Sequence, residues 1–372
     1  MSASAHPGAG SRLPVQPGAE RVVVAMSGGV DSSVAAALVA AQGFETIGVT
    51  MHLAGDSSRC CSLADAEDAR AVAERLGMRF FVANYAERFR SEVIEAFADA
   101  YLSGRTPIPC VTCNTRFKFA YLLERARVFG ARRIATGHYA RVDVDPDTGL
   151  RRLRCASDRE KDQSYFLFQL NQDQLASLWF PLGELNKAQV RAHARRLGLV
   201  TAEKPESQEI CFVPEGHYAN VVEAVRPEAL PGAGEIVDGE GRVLGQHAGI
   251  HHYTVGQRRG LGIGGTPPLY VTSIDAEHNR VVVGEVGALR AEGARVEAVS
   301  WVAGAAVAPG TRALVRVRHR HAGAFATLEP GGDGSVAVRF EQPVRAIAPG
   351  QAAVFYDGDR VLGGGWIAGA CR

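Results

Sequence analysis

A short glycine- and serine-rich segment follows the first strongly apolar run of the chain. The run Arg21–Met26 reads RVVVAM, and Ser27–Ser33 (SGGVDSS) follows it directly. Glycines let a backbone approach a phosphate closely, and serine hydroxyls and a helix N-terminus add hydrogen-bond donors. Because the segment lacks the lysine of a GxxxxGK[ST] loop, it predicts a different kind of nucleotide phosphate site. A plain glycine turn between strand and helix is the structural alternative.

Two separate segments carry cysteines in surroundings that favour reactive thiols. Cys110 and Cys113 form a CxxC pair in a proline-rich loop, before a predicted helix with Asn114 as its N-cap. A helix N-terminus and nearby basic residues lower a thiol pKa from about 8.5 and supply thiolate. Cys211 lies in a second polar segment. Because a structural zinc site needs about four ligands and the chain has one CxxC, the pattern favours thiol chemistry over zinc.

The elements that must position these residues alternate between strand and helix. The predicted strands are Arg21–Met26, Glu45–Met51, Arg79–Ala83 and Arg132–Thr136, and the predicted helices are Ser33–Gln42, Ser62–Leu76, Arg88–Leu102, Asn114–Phe129 and Lys187–Leu199. This alternation predicts an α/β fold with a doubly wound parallel sheet and a nucleotide at the carboxyl ends of the strands. Met51 is then placed to flank the adenine, with a core methionine as the alternative. Gly137 would let the backbone meet the nucleotide, with an ordinary turn as the alternative.

The character of the chain changes near residue 231. From there glycine becomes frequent and short β-branched runs alternate with turns, which is typical of an all-β barrel or sandwich. A hairpin is predicted around Asp145–Gly149. Residues 1–20 hold three prolines and lack an apolar core, so they predict a disordered tail rather than a signal peptide.

Composition limits the cellular setting and the partners. No apolar run approaches the roughly 20 residues that span a bilayer, so no membrane role is expected. Seven cysteines without a secretory signal favour a cytoplasmic, reducing location. The net charge of +1 is uninformative, but arginines and histidines crowd residues 312–321, and Arg258 and Arg259 lie in a glycine loop. Such clusters favour contact with nucleic acid phosphates, with a solvated surface strand as the alternative.

Seven stretches together resemble the tRNA-specific 2-thiouridylase family of PP-loop ATP pyrophosphatases. They are AMSGGVDSSV (25–34), TPIPCVTCNTRFKF (106–119), ATGHYARV (135–142), KDQSYFLFQL (161–170), SQEICFV (207–213), HYTVGQRRGLGIGG (252–265) and PGQAAVFYDGDRVLGGG (349–365). The resemblance implies a PP-loop domain with a tRNA-contacting insert over 21–230, a small central domain over 231–295 and a C-terminal β-barrel over 296–372.

The resemblance also implies roles for individual residues. Cys113 matches the nucleophilic cysteine, Cys211 the persulfide carrier, and Asp31 the aspartate placed by Mg²⁺ and pyrophosphate. ATP-binding positions are Ala25, Met26, Ser27, Gly28, Gly29, Val30, Asp31, Ser32, Met51 and Gly137. Positions matching tRNA contacts are Ile108, Pro109, Cys110, His138, Lys161, Asp162, Gln163, Arg318, His319 and Gln351.

The implied reaction is ATP-dependent 2-thiolation of the wobble uridine, U34, in tRNAs for Lys, Glu and Gln. ATP adenylates the C2 oxygen, and a persulfide supplied by a sulfur-relay or cysteine desulfurase protein delivers sulfur, with AMP and pyrophosphate as products. Either the persulfide on Cys211 attacks C2 directly, or Cys113 attacks the persulfide, which frees sulfide and leaves a Cys113–Cys211 disulfide. Two alternatives stay open: another PP-loop amidotransferase or ligase, such as an NAD or GMP synthetase, and a non-catalytic ATP- or RNA-binding module.

One segment departs from the family pattern. Many members read NPD where this chain has Ile108, Pro109 and Cys110, so a cysteine replaces the aspartate that the family places by the target base. Three thiolates, from Cys110, Cys113 and Cys211, could hold a [4Fe–4S] cluster with one open iron. We favour a metal-free relay, because Cys113 and Cys211 alone suffice for persulfide exchange.

Overall fold

The computed structural model describes residues 18–53, 62–206, 210–213, 217–264 and 267–371. Residues 1–17 of the predicted tail and residues 207–209 of the SQEICFV segment lie outside the described residues. The chain divides into two compact units. The first comprises Met1–Arg90, Cys113–Ser164 and Gln172–Pro214, and the second comprises Ser91–Thr112, Tyr165–Asn171 and Glu215–Arg372.

A five-stranded parallel sheet forms the centre of the first unit. The strands of this unit are, in chain order, β1 (Arg21–Ala25), β2 (Glu45–His52), β3 (Arg79–Asn84), β4 (Arg133–Thr136), β5 (Ala140–Val144), β6 (Arg151–Cys155) and β7 (Leu178–Trp179). The sheet order is β3-β2-β1-β4-β7, and every neighbouring pair is parallel. Val22, Val23 and Val24 are fully buried in the central strand, as expected for a strand covered on both faces. The predicted parallel sheet is confirmed.

Helices connect these strands. In chain order the helices of the protein are α1 (Val30–Ala40), α2 (Leu63–Arg75), α3 (Ala86–Phe89), α4 (Ala96–Leu102), α5 (Pro109–Thr112), α6 (Leu122–Val128), α7 (Gln172–Ser177), α8 (Lys187–Arg196) and α9 (Tyr218–Val225). Two segments, Arg90–Glu95 and Cys113–Tyr121, are π-helical. Ser62 caps α2 in a capping box with Asp65, which satisfies otherwise unpaired amides. No helix among the described residues is long and apolar enough to cross a membrane.

Helix α1 begins earlier than the sequence pattern predicts. The predicted start at Ser33 is wrong, because Gly29 is the N-cap with extended backbone (φ −94°, ψ 164°) and the helix begins at Val30. Asp31 therefore lies in the first turn of α1. A carboxylate is favoured there by the positive end of the helix dipole.

The helical backbone around the CxxC pair also begins early. The predicted N-cap at Asn114 is wrong, because α5 begins at Pro109 and Asn114 lies within the π-helical Cys113–Tyr121. Proline suits the first turn of a helix, since its φ is preset and its missing N–H has no helical partner there. Cys113 does not lie at a helix N-terminus, so the predicted lowering of its pKa by that end is unsupported.

The second unit is built from two further sheets. Its strands are β8 (Gly234–Val237), β9 (Val243–His247), β10 (Tyr270–Asp275), β11 (Arg280–Gly284), β12 (Arg290–Trp301), β13 (Thr311–Arg316), β14 (Ala324–Pro330), β15 (Val336–Arg345), β16 (Ala352–Asp357) and β17 (Arg360–Cys371). The four-stranded sheet has the order β10-β11-β8-β9. The order β12-β15-β14-β13-β16-β17 closes into a barrel through the pairing of β12 with β17. The predicted C-terminal β-barrel is confirmed.

Candidate active site

The glycine- and serine-rich loop lies between β1 and α1. Gly28 adopts φ +71°, and a Cβ there would lie 2.1 Å from the carbonyl oxygen of Asp65, so this position requires glycine. The Ser32 and Ser33 hydroxyls donate to the Gly29 carbonyl at 3.0 and 2.8 Å. These bonds hold the loop in shape where it enters the N-terminus of α1, which is the end of a helix that binds anions.

The segment after β4 packs directly against this loop. A Cβ on Gly137 would lie 2.7 Å from the backbone nitrogen of Ser32 and 2.8 Å from the carbonyl carbon of Asp31. Only glycine therefore allows this approach. The carboxyl ends of β1 and β4 are adjacent in the sheet, so the structure brings Gly137 to the loop. Met26 and Met51 lie at neighbouring strand ends and are almost fully buried.

Asp31 is the centre of a charged network. Its carboxylate accepts hydrogen bonds from Lys187 Nζ at 2.7 and 2.9 Å and from the Tyr139 hydroxyl at 2.8 Å. Lys187 Nζ also lies 2.6 Å from Glu206 Oε1, and Lys161 Nζ lies 2.7 Å from Glu206 Oε2. Two ammonium groups thus neutralise two carboxylates beside the loop.

This network perturbs the acidity of its members. Burial opposes ionisation of Glu206, but the hydrogen bonds and charges of Lys161 and Lys187 outweigh it and hold its pKa below the ordinary value. Burial, followed by the negative charge of Asp31, raises the pKa of Tyr139 far above its ordinary value. Tyr139 is therefore a fixed hydrogen-bond donor, and Glu206 is ionised at neutral pH.

Sequence reasoning missed Lys187, Tyr139 and Glu206 as members of the site. Lys187 follows N-cap Asn186 at the start of α8, where a lysine usually reads as a solvated helix residue. The sequence offered a signal for Tyr139, because this residue lies within ATGHYARV, one of the stretches that resemble the family. The side chains of Asp31 and Lys187 meet although they are 156 positions apart.

His138 is held in a buried hydrogen-bonded chain. Its Nε2 lies 3.2 Å from Asn114 Oδ1, and its Nδ1 lies 2.8 Å from Thr136 Oγ1. Burial, followed by the charge of Lys118, holds the pKa of His138 well below its ordinary value. Because an amide oxygen only accepts, the neutral ring donates from Nε2 and accepts from the Thr136 hydroxyl at Nδ1. His138 thereby orients Asn114, the residue after Cys113.

The segments that carry Cys113 and Cys211 meet at one aromatic ring. Phe89 packs edge-on against Phe117 with ring centroids 5.3 Å apart, and against Phe212 with centroids 5.9 Å apart. Phe117 lies four residues after Cys113, and Phe212 directly follows Cys211. Both cysteines are partly exposed, which is the accessibility that thiol exchange requires.

Asp162 and Gln163 support the backbone of the same unit. The Asp162 carboxylate is buried and accepts hydrogen bonds from the amides of Ala156 and Ser164 at 3.1 and 3.2 Å. Gln163 Oε1 accepts from the Tyr139 amide at 3.0 Å. Gln163 therefore holds the segment that follows β4 in place, and Asp162 holds the segment that follows β6.

In the second unit, Gln351 anchors the loop that leads to Ile108, Pro109 and Cys110. Gln351 Nε2 donates to the Thr106 carbonyl at 3.1 Å, and the Thr106 amide donates to the Pro349 carbonyl at 2.8 Å. Ile108 and Pro109 contribute to the lining of a cavity of about 380 Å³. Cys110 is partly exposed.

The arginine and histidine cluster at 312–321 is less available than the sequence suggests. Arg312 forms an ion pair with Glu341 at 2.6 Å and stacks over the Phe325 ring. Arg316 donates to the backbone carbonyls of His319 and His321. Both guanidinium groups are thus paired with other residues of the barrel, Arg312 on its exposed surface, so a phosphate would have to replace these partners.

Other members of this cluster face outward. Arg318 and Arg320 are exposed, and Arg318 donates to the backbone carbonyl of Arg345 at 3.3 Å. The His319 ring packs on Phe166 with centroids 4.5 Å apart. Exposed guanidinium groups beside a ring are suited to an RNA phosphate backbone.

Three family models match the chain in succession. They are described as a tRNA methyl transferase HUP domain over residues 20–215, a tRNA methyl transferase PRC-barrel domain over 220–285 and an aminomethyltransferase beta-barrel domain over 291–367. Among solved structures, a 4-thiouridine synthetase–RNA complex with bound ATP matches with a TM-score of 0.38 and 19% identity, covering 59% of this chain and 53% of that chain.

Curated relatives match over nearly the whole chain. The tRNA-specific 2-thiouridylase MnmA of Koribacter versatilis is 47% identical over 365 residues, covering 94% of this chain and 99% of the relative. The protein of the same name from Rhizorhabdus wittichii is 52% identical over 363 residues, covering 96% of this chain and 93% of the relative. These identities extend across all three matched domains. The chain belongs to the tRNA-specific 2-thiouridylase family.

Proposed function

We propose that this protein uses ATP to adenylate the C2 oxygen of wobble uridine U34 in tRNA and replaces that oxygen with sulfur. The relatives named tRNA-specific 2-thiouridylase support the substrate and the product. The observation that carries the chemistry is Asp31, which lies in the first turn of α1 beside the SGGVDSS loop and is paired with Lys187. Anion-binding amides, a carboxylate and an ammonium group meet there.

The first step activates the base. The loop Ser27–Ser33 binds the phosphates of ATP, and the C2 oxygen attacks the α-phosphorus so that the bond to pyrophosphate breaks. The Asp31 carboxylate is an oxygen ligand of the kind that Mg²⁺ prefers, so Asp31 would hold a Mg²⁺ ion that arrives with the nucleotide, and this ion would neutralise phosphate charge. The Lys187 ammonium group stabilises the negative charge that develops on the departing pyrophosphate. Tyr139 and Gly137 keep Asp31 and the loop in position during this step.

The second step delivers sulfur through two thiols. Cys211 receives a terminal sulfur from a donor protein of the sulfur-relay or cysteine desulfurase class. The Cys113 thiolate attacks the Cys211 sulfur, forming a disulfide and releasing hydrosulfide, which attacks C2 and expels AMP. In the other order, the persulfide attacks C2 before Cys113 closes the disulfide. Either way an external thiol must then reduce the disulfide.

Glu206 connects the two steps. It accepts from both Lys161 and Lys187 and lies five residues before Cys211. We infer that this pairing ties the segment of Cys211 to the nucleotide loop. Lys161 then positions the sulfur carrier, in addition to its predicted contact with tRNA. Ile108, Pro109, Cys110, His138, Asp162, Gln163, His319 and Gln351 stay predicted tRNA contacts, several of them acting through the backbone that they hold.

The products test this function. With purified enzyme, tRNA, ATP and a persulfide donor, we expect AMP and pyrophosphate to form in step with 2-thiouridine, measured by chromatography and by mass spectrometry of tRNA nucleosides. ADP and phosphate as the main products would refute the PP-loop chemistry. AMP formation without a thiolated nucleoside would instead favour a ligase of the same superfamily.

The salt dependence of tRNA binding tests the barrel surface. When the exposed Arg318 and Arg320 each bind a phosphate, counterions should leave the tRNA. The logarithm of the tRNA binding constant should then fall with the logarithm of the salt concentration, with a slope of about −0.7 to −0.9 per phosphate contact. Arg318→Ala and Arg320→Ala should each weaken binding and flatten the slope by about one contact, leaving ATP affinity unchanged. Arg312→Ala is the matched control, because its guanidinium pairs with Glu341. Equal slopes for all three variants and the parent protein would favour the alternative, in which this surface is a solvated strand that does not contact RNA.

A further inference from the structure

We propose that Glu223, His251 and His252 form a binding site for a divalent metal ion, with Zn²⁺ as the ion that fits best. The three side chains lie within the second unit, on α9 and on the 3₁₀ turn Ile250–His252. This site takes no part in the ATP and sulfur chemistry proposed above. It therefore stands or falls independently of that function.

The ligand atoms already have the spacing of a metal shell. Glu223 Oε1 lies 3.3 Å from His251 Nε2 and 3.5 Å from His252 Nε2. Ligands about 2.0–2.1 Å from a tetrahedral zinc ion lie about 3.3–3.4 Å from each other. One ligand atom from each residue falls within 4.8 Å of the others. Only a small closure of the two imidazoles would complete three corners of a tetrahedron.

The most buried ligand is held in place by its surroundings. His251 is 3% exposed, and its ring packs on Gly249, where a Cβ would lie 2.5 Å from His251 Cε1. His251 Nδ1 is buried without a hydrogen-bond partner among the described residues. In the absence of an ion, Nε2 donates a hydrogen bond to Glu223 Oε1 at 3.3 Å, because a carboxylate oxygen only accepts. A bound cation would take the place of this proton at Nε2.

The carboxylate ligand lies on a helix that is anchored independently. Arg226, three residues after Glu223, binds Asp99 at 2.7 Å and Glu95 at 3.2 Å. The Tyr218 ring stacks on Tyr101 with centroids 4.3 Å apart. Helix α9 is thus fixed at both ends of the segment that carries Glu223, which lowers the cost of ordering the site.

The donor set and exposure favour zinc with an open position. Zinc binds imidazole nitrogen and carboxylate oxygen, and three protein ligands leave its fourth position for water. The side chains of His252 and Glu223 are 37% and 41% exposed, which leaves room for that water. A bound ion would join α9 to the 3₁₀ turn.

X-ray absorption and calorimetry with zinc chloride test this site on the full-length protein. We expect a shell of nitrogen and oxygen ligands at about 2.0–2.1 Å. Removing a ligand in Glu223→Gln or His252→Gln should weaken zinc affinity at least about tenfold. Zinc should raise the melting temperature of the parent protein and not that of either variant.

Controls separate this site from other zinc ligands. His278→Gln removes an exposed histidine that pairs with Asp275 at 2.8 Å, and it should keep the affinity and the thermal shift. The cysteine thiols would give a sulfur shell at about 2.3 Å. A sulfur shell together with unchanged affinity in Glu223→Gln and His252→Gln would overturn the proposal, as would the absence of zinc binding to the parent protein.

Discussion

Replacing Lys187 by alanine should lower the rate of AMP and pyrophosphate formation by about 10²–10³-fold, the range lost when one preorganised donor to a developing charge is removed. The ammonium group contacts both Asp31 and Glu206 and is 14% exposed. Its removal leaves the Asp31 carboxylate without its ammonium partner beside the phosphate loop, whereas Glu206 keeps its ion pair with Lys161. Single-turnover assays with saturating tRNA measure the effect.

Two variants identify the cause of the loss. Lys187→Arg keeps the charge with a different shape, so it should recover part of the rate. Arg195→Ala, on the same helix α8, removes an exposed ion pair with Glu203 at 2.6 Å and should leave the rate unchanged. A rate for Lys187→Ala within a few fold of the parent rate, at an unchanged melting temperature, would refute the role of Lys187.

Removing either reactive thiol should abolish thiolation while leaving base activation intact. Cys113→Ser and Cys211→Ser should each lower formation of 2-thiouridine by at least about 10³-fold, as expected for groups that act as a unit. Both should retain tRNA-dependent exchange of pyrophosphate into ATP, because the loop Ser27–Ser33 is unchanged. Cys371→Ser removes an exposed thiol on β17 and serves as the matched control. Thiolation at the parent rate in either active-site variant would contradict the relay.

The role of Cys110 distinguishes a metal-free sulfur relay from a [4Fe–4S] cluster. The competing hypothesis is a [4Fe–4S] cluster held by three thiolates, those of Cys110, Cys113 and Cys211, with one open iron for sulfide. We expect the metal-free relay: anaerobically purified enzyme should work after iron chelation, and Cys110→Ala should keep partial activity. About four irons per chain together with complete loss of activity in Cys110→Ala would establish the cluster instead.

The sequence by itself determined the features that depend on local pattern. The buried run Val22–Val24 and the segment SGGVDSS predicted a strand, a phosphate loop and a helix, because glycine punctuation and apolar runs act over a few residues. Capping signals placed the start of α2 correctly at Ser62. The frequent glycines and β-branched runs after residue 231 predicted the barrel. The paired cysteine segments pointed to sulfur chemistry through their residue types alone.

Only the tertiary structure decided how distant polar groups are paired. Asp31 pairs with Lys187, and His138 Nε2 donates to Asn114 Oδ1. Local signals cannot encode these pairs, because each partner is equally compatible with solvent at its own position in the chain. Burial makes the choice: once the strands bring these groups together away from water, each must find a partner, and the partner nearest in space need not be near in sequence.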